Sequence, residues 1–180
     1  MAGVIPPIAP GSDATGSDRS PYQISLNDFV VRFATSQQRA TILEGLLAFR
    51  RALHSIGVTQ GFQWIDGSFL EHIEVTASRP PNDVDVVTYA YLPEGQTQKT
   101  FMPILQPLLD KTVVKSRYKV DHYLRILPQI NVRDVCYWYS LWSHRRDGLW
   151  KGYVEIPLDP SNDALAEMAL ASITTAGFQS

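Results

Sequence analysis

The sequence is poor in cysteine and in long apolar runs, and each shortage excludes a class of protein. With Cys136 as its one cysteine, the chain forms no intramolecular disulfide, and this composition is typical of a reducing compartment. We expect Cys136 to be a small buried apolar residue. The N-terminus has neither a basic region nor a long apolar segment, and no stretch reaches the roughly 18 apolar residues that a membrane helix needs. We therefore expect a cytoplasmic protein with no membrane partner.

An excess of positive charge is also lacking. The 16 basic and 18 acidic residues give a formal net charge of −2, so no global positive field could hold nucleic acid. We expect no strong nonspecific binding to DNA or RNA. The 44% hydrophobic content in 180 residues is enough for the core of one domain. We predict this domain over residues 22–180 and a flexible tail over 1–21, which is rich in Pro, Gly, Ser and Asp.

Apolar periodicity predicts alternating helices and strands. The clearest helix follows Ser36 and ends at Gly57, with Arg39, Arg50 and Arg51 on faces other than its apolar stripe. Further helices are predicted over 99–110, 133–146 and 161–173, and strands over 60–66, 82–92, 118–127 and 151–158. This alternation is typical of an α/β or α+β domain in which helices cover a mixed β-sheet.

Two carboxylates open the predicted strand 82–92. Residues two apart in a strand point to the same side, so Asp83 and Asp85 would project together and repel one another. A hard divalent cation offsets such repulsion well, and magnesium combines one or two carboxylates with substrate phosphates. The alternative is that Asp83 only caps the turn formed by Pro80, Pro81 and Asn82.

A Gly-Ser pair precedes these acids. We expect Gly67 and Ser68 to form a turn between a strand and a short helix, with Glu71 and His72 one turn into that helix. Such a turn offers backbone N–H groups and a hydroxyl to phosphate oxygens, and the helix N-terminus adds positive potential.

This arrangement resembles the nucleotidyltransferase superfamily built on the DNA polymerase beta fold. Its signature is a Gly-Ser or Gly-Gly pair, a short spacer and Asp-X-Asp or Asp-X-Glu, which match Gly67-Ser68 and Asp83-Val84-Asp85. The spacer here, residues 69–82, is slightly longer than usual and indicates a small insertion. Segments between about 59 and 158 are also similar to small stand-alone bacterial nucleotidyltransferase-like proteins. The resemblance implies a mixed sheet flanked by helices.

The superfamily places a third carboxylate on a neighbouring strand, where it helps to bind the catalytic metal. Asp121, the one acid in the predicted strand 118–127, fits this role. The alternative is that Asp121 pairs with Arg117 or Arg125 on the polar face of that strand. By resemblance, the metal ligands and catalytic residues are Asp83, Asp85 and Asp121, and the cofactor is a pair of Mg²⁺ ions, with Mn²⁺ as a substitute.

The implied reaction transfers a nucleoside monophosphate from a nucleoside triphosphate, such as ATP, to a hydroxyl of a protein, an RNA end or a small molecule. A triphosphate needs cationic partners, and we predict Arg145 and Lys151 as phosphate contacts beside Gly67 and Ser68. The alternative is that the charged cluster around Arg145 is only a solvated surface. A second function is a catalytically degenerate module that binds a nucleotide or a partner protein, for example in a toxin–antitoxin or phage-defence system.

Overall fold

A computed structural model describes residues 3–178, which contain five β-strands and seven α-helices. The strands are β1 (Tyr22–Gln23), β2 (Gly61–Asp66), β3 (Val84–Tyr91), β4 (Val120–Leu127) and β5 (Val154–Pro157). The helices are α1 (Leu26–Phe33), α2 (Gln37–Ser55), α3 (Ile73–Thr76), α4 (Gln98–Leu105), α5 (Lys111–Tyr118), α6 (Val132–Trp142) and α7 (Asp163–Ala176). None of these helices combines the length and the hydropathy needed to span a bilayer.

The strands form one mixed sheet in the order β1-β5-β2-β3-β4. Strand β2 is antiparallel to both of its neighbours, whereas β3 runs parallel to β4 and β1 runs parallel to β5. Parallel neighbours need a crossover connection, which α4 and α5 supply between β3 and β4. The predicted α+β class with a mixed sheet is therefore confirmed. The β3–β4 pairing also brings the first residues of both strands to the same edge.

Helix α2 packs at the centre of one face of the sheet. Its Ile42, Leu46 and Leu53 are fully buried, as the helical spacing predicts. Arg50, on another face of α2, is also fully buried, and it donates hydrogen bonds to Asp163 on α7 and at 2.7 Å to Gln63 on β2. A guanidinium is stable in the interior only with such partners. This polar contact ties α2 to both the sheet and α7.

Helix α6 covers the opposite face of the sheet with a narrow aromatic stripe. Trp138 and Trp142, one turn apart, are both buried, and their rings lie 4.6 Å from Tyr123 and 5.8 Å from Tyr153 respectively. Cys136 lies outside this stripe and is exposed. The prediction of a buried cysteine was wrong because so little of the surface of α6 meets the sheet.

The predicted helix over 99–110 is divided. Helix α4 ends at Leu105, a 3₁₀ turn follows over Gln106–Leu108, and α5 begins after Asp110, whose side chain accepts a hydrogen bond from the Val113 N–H. Pro107 has no N–H to continue the α-helical pattern, which accounts for the break. Helix α5 itself was not predicted. It is short and contributes only Val114 and Tyr118 to the buried core.

Residues 3–21, the described part of the predicted tail, make specific contacts with the rest of the domain. The backbone N–H of His72 donates to the Gly3 carbonyl at 2.8 Å, and the N–H of Gly152 donates to the Ile5 carbonyl at 2.7 Å. Ile5 also packs against the core. Composition did not indicate these contacts, because a segment with few apolar groups docks only where the folded domain offers complementary partners. Its flexibility in solution stays a prediction.

Candidate functional site

Three acidic residues lie side by side at one edge of the sheet. Asp85 pairs with Asp66 across the antiparallel β2–β3 ladder and with Asp121 across the parallel β3–β4 ladder. Residues in register on neighbouring strands project to the same face, so all three carboxylates share one face. Asp83 immediately precedes β3, two residues from Asp85. The structure therefore brings together the three acids proposed from the sequence and adds Asp66.

Gly67 makes room for the Asp85 carboxylate. Its φ of +89° and ψ of −174° belong to a region that is essentially restricted to glycine. A Cβ at this position would lie 1.9 Å from Asp85 Oδ2 and 2.9 Å from Asp85 Cγ. No larger residue fits unless the carboxylate moves, so the packing of Asp85 itself requires a glycine here.

The segment after Gly67 is not the helix that we expected. Ser68–Leu70 form a single 3₁₀ turn, Glu71 is extended, and α3 has only four residues. Phe69 and Leu70 are buried, which holds this segment as a turn against the core. The predicted contribution of a helix dipole is therefore wrong, because the dipole needs several aligned peptide units. The predicted phosphate cradle is reduced to backbone N–H groups and the Ser68 hydroxyl.

A buried lysine joins two acids at the floor of the site. Lys151 Nζ lies 2.9 Å from Asp66 Oδ1 and 3.0 Å from Glu71 Oε1, and the side chain of Lys151 is only 5% exposed. Buried charges are stable only when they are paired, and Lys151 partly neutralises both carboxylates. We predicted Lys151 as a phosphate contact, but its ammonium is already bound to these two acids.

Two lysines on α5 bind the outer acids. Lys115 Nζ forms an ion pair with Asp83 Oδ2 and lies 3.9 Å from Asp121 Oδ2. Lys111 Nζ lies 3.4 Å from Asp121 Oδ1. Asp121 thus pairs with lysines of α5, and not with the two arginines that the sequence offered as partners. The lysine contacts also show that Asp83 and Asp121 face one another across the start of the strands.

Two acids of this site, Asp66 and Asp85, have a raised pKa. Burial, together with the negative charges of Asp83 and Asp121, raises the pKa of Asp85 to about 6. Burial also raises the pKa of Asp66 to about 7, although the neighbouring Lys151 opposes this effect. Because nearby cations favour the ionised form of a carboxyl, both groups respond strongly to a cation that enters the site.

All seven residues proposed from the sequence line one cleft of about 830 Å³. They are Gly67, Ser68, Asp83, Asp85, Asp121, Arg145 and Lys151. Arg145 lies in the turn after α6, where its Nε donates to Asp147 Oδ1 at 2.9 Å and a second nitrogen contacts Asp147 Oδ2. Two of the three guanidinium nitrogens of Arg145 are therefore already paired with Asp147.

Comparison with known proteins assigns the chain to a family. Residues 2–157 match the model of a family of unknown function (DUF6932). The chain belongs to this family. The match contains all five strands and every residue that lines the cleft. No curated protein and no solved structure matches the chain, so the chemistry of the cleft is the basis for any functional conclusion about this family member.

Sequence reasoning missed four charged residues of the site. They are Asp66, Glu71, Lys111 and Lys115. The sequence does contain a signal for Asp66. It is an acid at the end of an apolar strand, directly before the Gly-Ser pair, and this position places it at the same edge of the sheet as the other acids. The two lysines carry a weaker signal, which is their spacing of four residues in the segment just before Asp121.

The three acids proposed from the sequence have the donor chemistry that a hard divalent cation requires. Asp83, Asp85 and Asp121 supply only carboxylate oxygens, which Mg²⁺ and Mn²⁺ prefer. The pKa of Asp85 is raised first by burial and then by the charges of Asp83 and Asp121, and a cation would offset both effects. Within residues 3–178, no group of three or more His, Cys, Asp and Glu side chains is already arranged to hold a metal ion. Lysine ammonium groups contact the oxygens of Asp83 and Asp121 instead. These residues fit a cation after the lysines move.

Proposed function

We propose that the protein is a nucleotidyltransferase that transfers a nucleoside monophosphate from a nucleoside triphosphate to a hydroxyl acceptor. The acceptor oxygen forms a bond to the α-phosphorus, the bond from that phosphorus to the bridging oxygen breaks, and pyrophosphate leaves. The hydroxyl proton passes to Asp121. The acceptor is a protein side chain, an RNA end or a small molecule.

The register of Asp85 with Asp121, beside Asp83, is the observation that supports this proposal most strongly. Asp83, Asp85 and Asp121 would hold two magnesium ions, whose chemistry is to stabilise the entering and the leaving oxygen of an in-line displacement. The Ser68 hydroxyl and the N–H groups of its turn would orient the triphosphate. A cleft of about 830 Å³ is also in the size range of sites for small molecules.

The test is turnover of triphosphates labelled at the α-phosphate, with magnesium and with protein, total RNA and small hydroxyl compounds as acceptors. We expect label transfer and pyrophosphate release by the wild type, and a loss of at least about a hundredfold for Asp85→Asn, since even residues that only support a metal ligand contribute up to that factor. Glu44→Gln, at an exposed position of α2, is the control and should keep full activity. Equal turnover by Asp85→Asn and the wild type would refute this mechanism.

A catalytically degenerate binding module is the second candidate. The lysine ion pairs at Asp83 and Asp121 support it, because they satisfy the acids without a metal. Helix α6 also exposes Val132 and Tyr137, with relative exposures of 77% and 57%, as a partner-binding surface in a toxin–antitoxin or phage-defence pair would. Calorimetry with magnesium and a nonhydrolysable triphosphate separates the two candidates. Binding without labelled product across the acceptors identifies the module.

A further inference from the structure

We infer that Lys111 and Lys115 are exchangeable cations of the cleft. In the free protein they neutralise Asp83 and Asp121, and when these carboxylates bind divalent cations the two lysines move to the phosphates of the bound triphosphate. The inference rests on the proposed function and assigns the phosphate-binding residues of that same site.

The fold places both lysines over the acids. Helix α5 ends at Tyr118, the chain reverses at Lys119, which has a left-handed φ of +57°, and β4 begins at Val120. This tight reversal folds α5 back along the start of β4. Lys111 and Lys115 are four residues apart, so they lie on the same side of the helix. Their ammonium groups therefore both reach Asp121, and that of Lys115 also reaches Asp83.

Exposure distinguishes these lysines from the buried one. The side chains of Lys111 and Lys115 are 54% and 53% exposed, whereas that of Lys151 is 5% exposed. A half-exposed ammonium on a flexible four-carbon stem exchanges one partner for another at little free-energy cost. Removal of Lys151 from its acids would instead leave buried charges unpaired. Lys151 is thus a fixed part of the floor, and the α5 lysines are free to change partners.

The bound state would give each released lysine a new partner. A carboxylate oxygen that binds a divalent cation no longer accepts an ammonium at the same place, and the cation carries twice the charge. A triphosphate brings about four negative charges into the cleft. Of the cations that we predicted for the phosphates, Lys151 is held by two buried acids and Arg145 by Asp147. Metal binding at Asp83 and Asp121 would release the α5 lysines but leave the acidic partners of Lys151 and Arg145 in place, so the α5 lysines are better placed for this role.

The double substitution Lys111→Met and Lys115→Met tests the exchange through two binding measurements that need no turnover. Mn²⁺ binding without nucleotide, followed by electron paramagnetic resonance, should tighten by about fivefold, because two exposed ion pairs no longer compete. Binding of inorganic tripolyphosphate with Mg²⁺, measured by calorimetry, should weaken by about tenfold or more, because two charge-assisted contacts are lost. A purely structural role would not move the two affinities in opposite directions.

Two further variants make the result specific. Lys99→Met, at an exposed position of α4 outside the cleft, should leave both affinities unchanged. Replacement of Lys111 and Lys115 by arginine, instead of methionine, keeps both charges and should therefore retain tripolyphosphate binding. Melting temperatures of all variants verify the fold, and the single Lys115→Met variant is used if the double variant unfolds.

The outcomes separate this inference from the proposed function. If the wild type binds Mn²⁺, Asp85→Asn does not, and the double lysine variant changes neither affinity or shifts both in the same direction, the exchange is refuted and the proposed function stands. If the wild type binds neither Mn²⁺ nor Mg²⁺ with tripolyphosphate, both are refuted.

Discussion

Replacement of Gly67 by alanine should destabilise the domain and disrupt the acidic centre together. The backbone at Gly67, with φ of +89° and ψ of −174°, costs a residue with a Cβ about 1–3 kcal/mol. The added Cβ would also lie 1.9 Å from Asp85 Oδ2, far inside van der Waals contact, so the Asp85 carboxylate must rotate away from its place opposite Asp66 and Asp121. Since forced repacking typically adds a further 1–3 kcal/mol, we expect a total loss of roughly 4 kcal/mol, the middle of the combined range of about 2–6 kcal/mol.

Urea denaturation of the wild type and Gly67→Ala measures this loss. The matched control is Gly148→Ala, which has a similar φ of +84° and nothing within 4 Å of an added Cβ. The control has a positive φ without the steric clash and should lose about 1–2 kcal/mol. If Gly67→Ala and Gly148→Ala lose the same free energy of unfolding within about 0.5 kcal/mol, Asp85 does not pack against Gly67 and our description of the centre is wrong.

Two further predictions concern the buried charges. Lys151→Met should lower the free energy of unfolding by about 3–5 kcal/mol, because it leaves Asp66 and Glu71 buried without their cation; Lys99→Met is the exposed control, and equal losses would show that Lys151 is not held between these acids. The second prediction follows from the raised pKa of Asp85 in the folded protein. Because the folded state holds this proton more tightly than the unfolded state, the protonated Asp85 carboxyl contributes most stability below about pH 4. That contribution is lost as the pH rises through about 6. Relative to Asp85→Asn, the wild type should therefore lose roughly 1–2 kcal/mol between pH 5 and pH 7.5, and parallel stability curves in urea titrations would contradict the assigned pKa.

The local pattern of apolar residues was enough to predict most strands of the sheet. The strands β3 and β4 were predicted within about two residues because both are short, apolar and rich in β-branched or aromatic side chains, with Asp85 and Asp121 as acids within them. An ionisable residue in such a run is conspicuous, since its burial requires compensation. The sequence therefore identified three acids of the site, Asp83, Asp85 and Asp121, but neither the other two nor the arrangement of the group.

The spatial arrangement of the site depends on contacts between residues that are far apart in the chain. Strand register is set by the pairing of whole faces rather than by local propensity, so no local pattern indicated that Asp66 lies opposite Asp85. The partners of Lys151 lie in a different part of the chain, at Asp66 and Glu71, and only the folded sheet brings them together. Local pattern also suggested a helix after Gly67, whereas the burial of Phe69 made that segment a turn.

The charge balance of the cleft bears on which ligand species would enter it under the proposed function. Six acidic and five basic side chains line it, and Lys111 adds a sixth basic group at its edge. The formal net charge of the free cleft is therefore close to zero, although three of its acids lie on adjacent strands. Two divalent cations and one triphosphate would add charges of about +4 and −4, which preserves that neutrality only if both enter together. A cation alone would leave the lysines without partners, and a triphosphate alone would face the carboxylates. Under the proposed function, the lysines of α5 would therefore favour the metal–triphosphate complex as the species that binds.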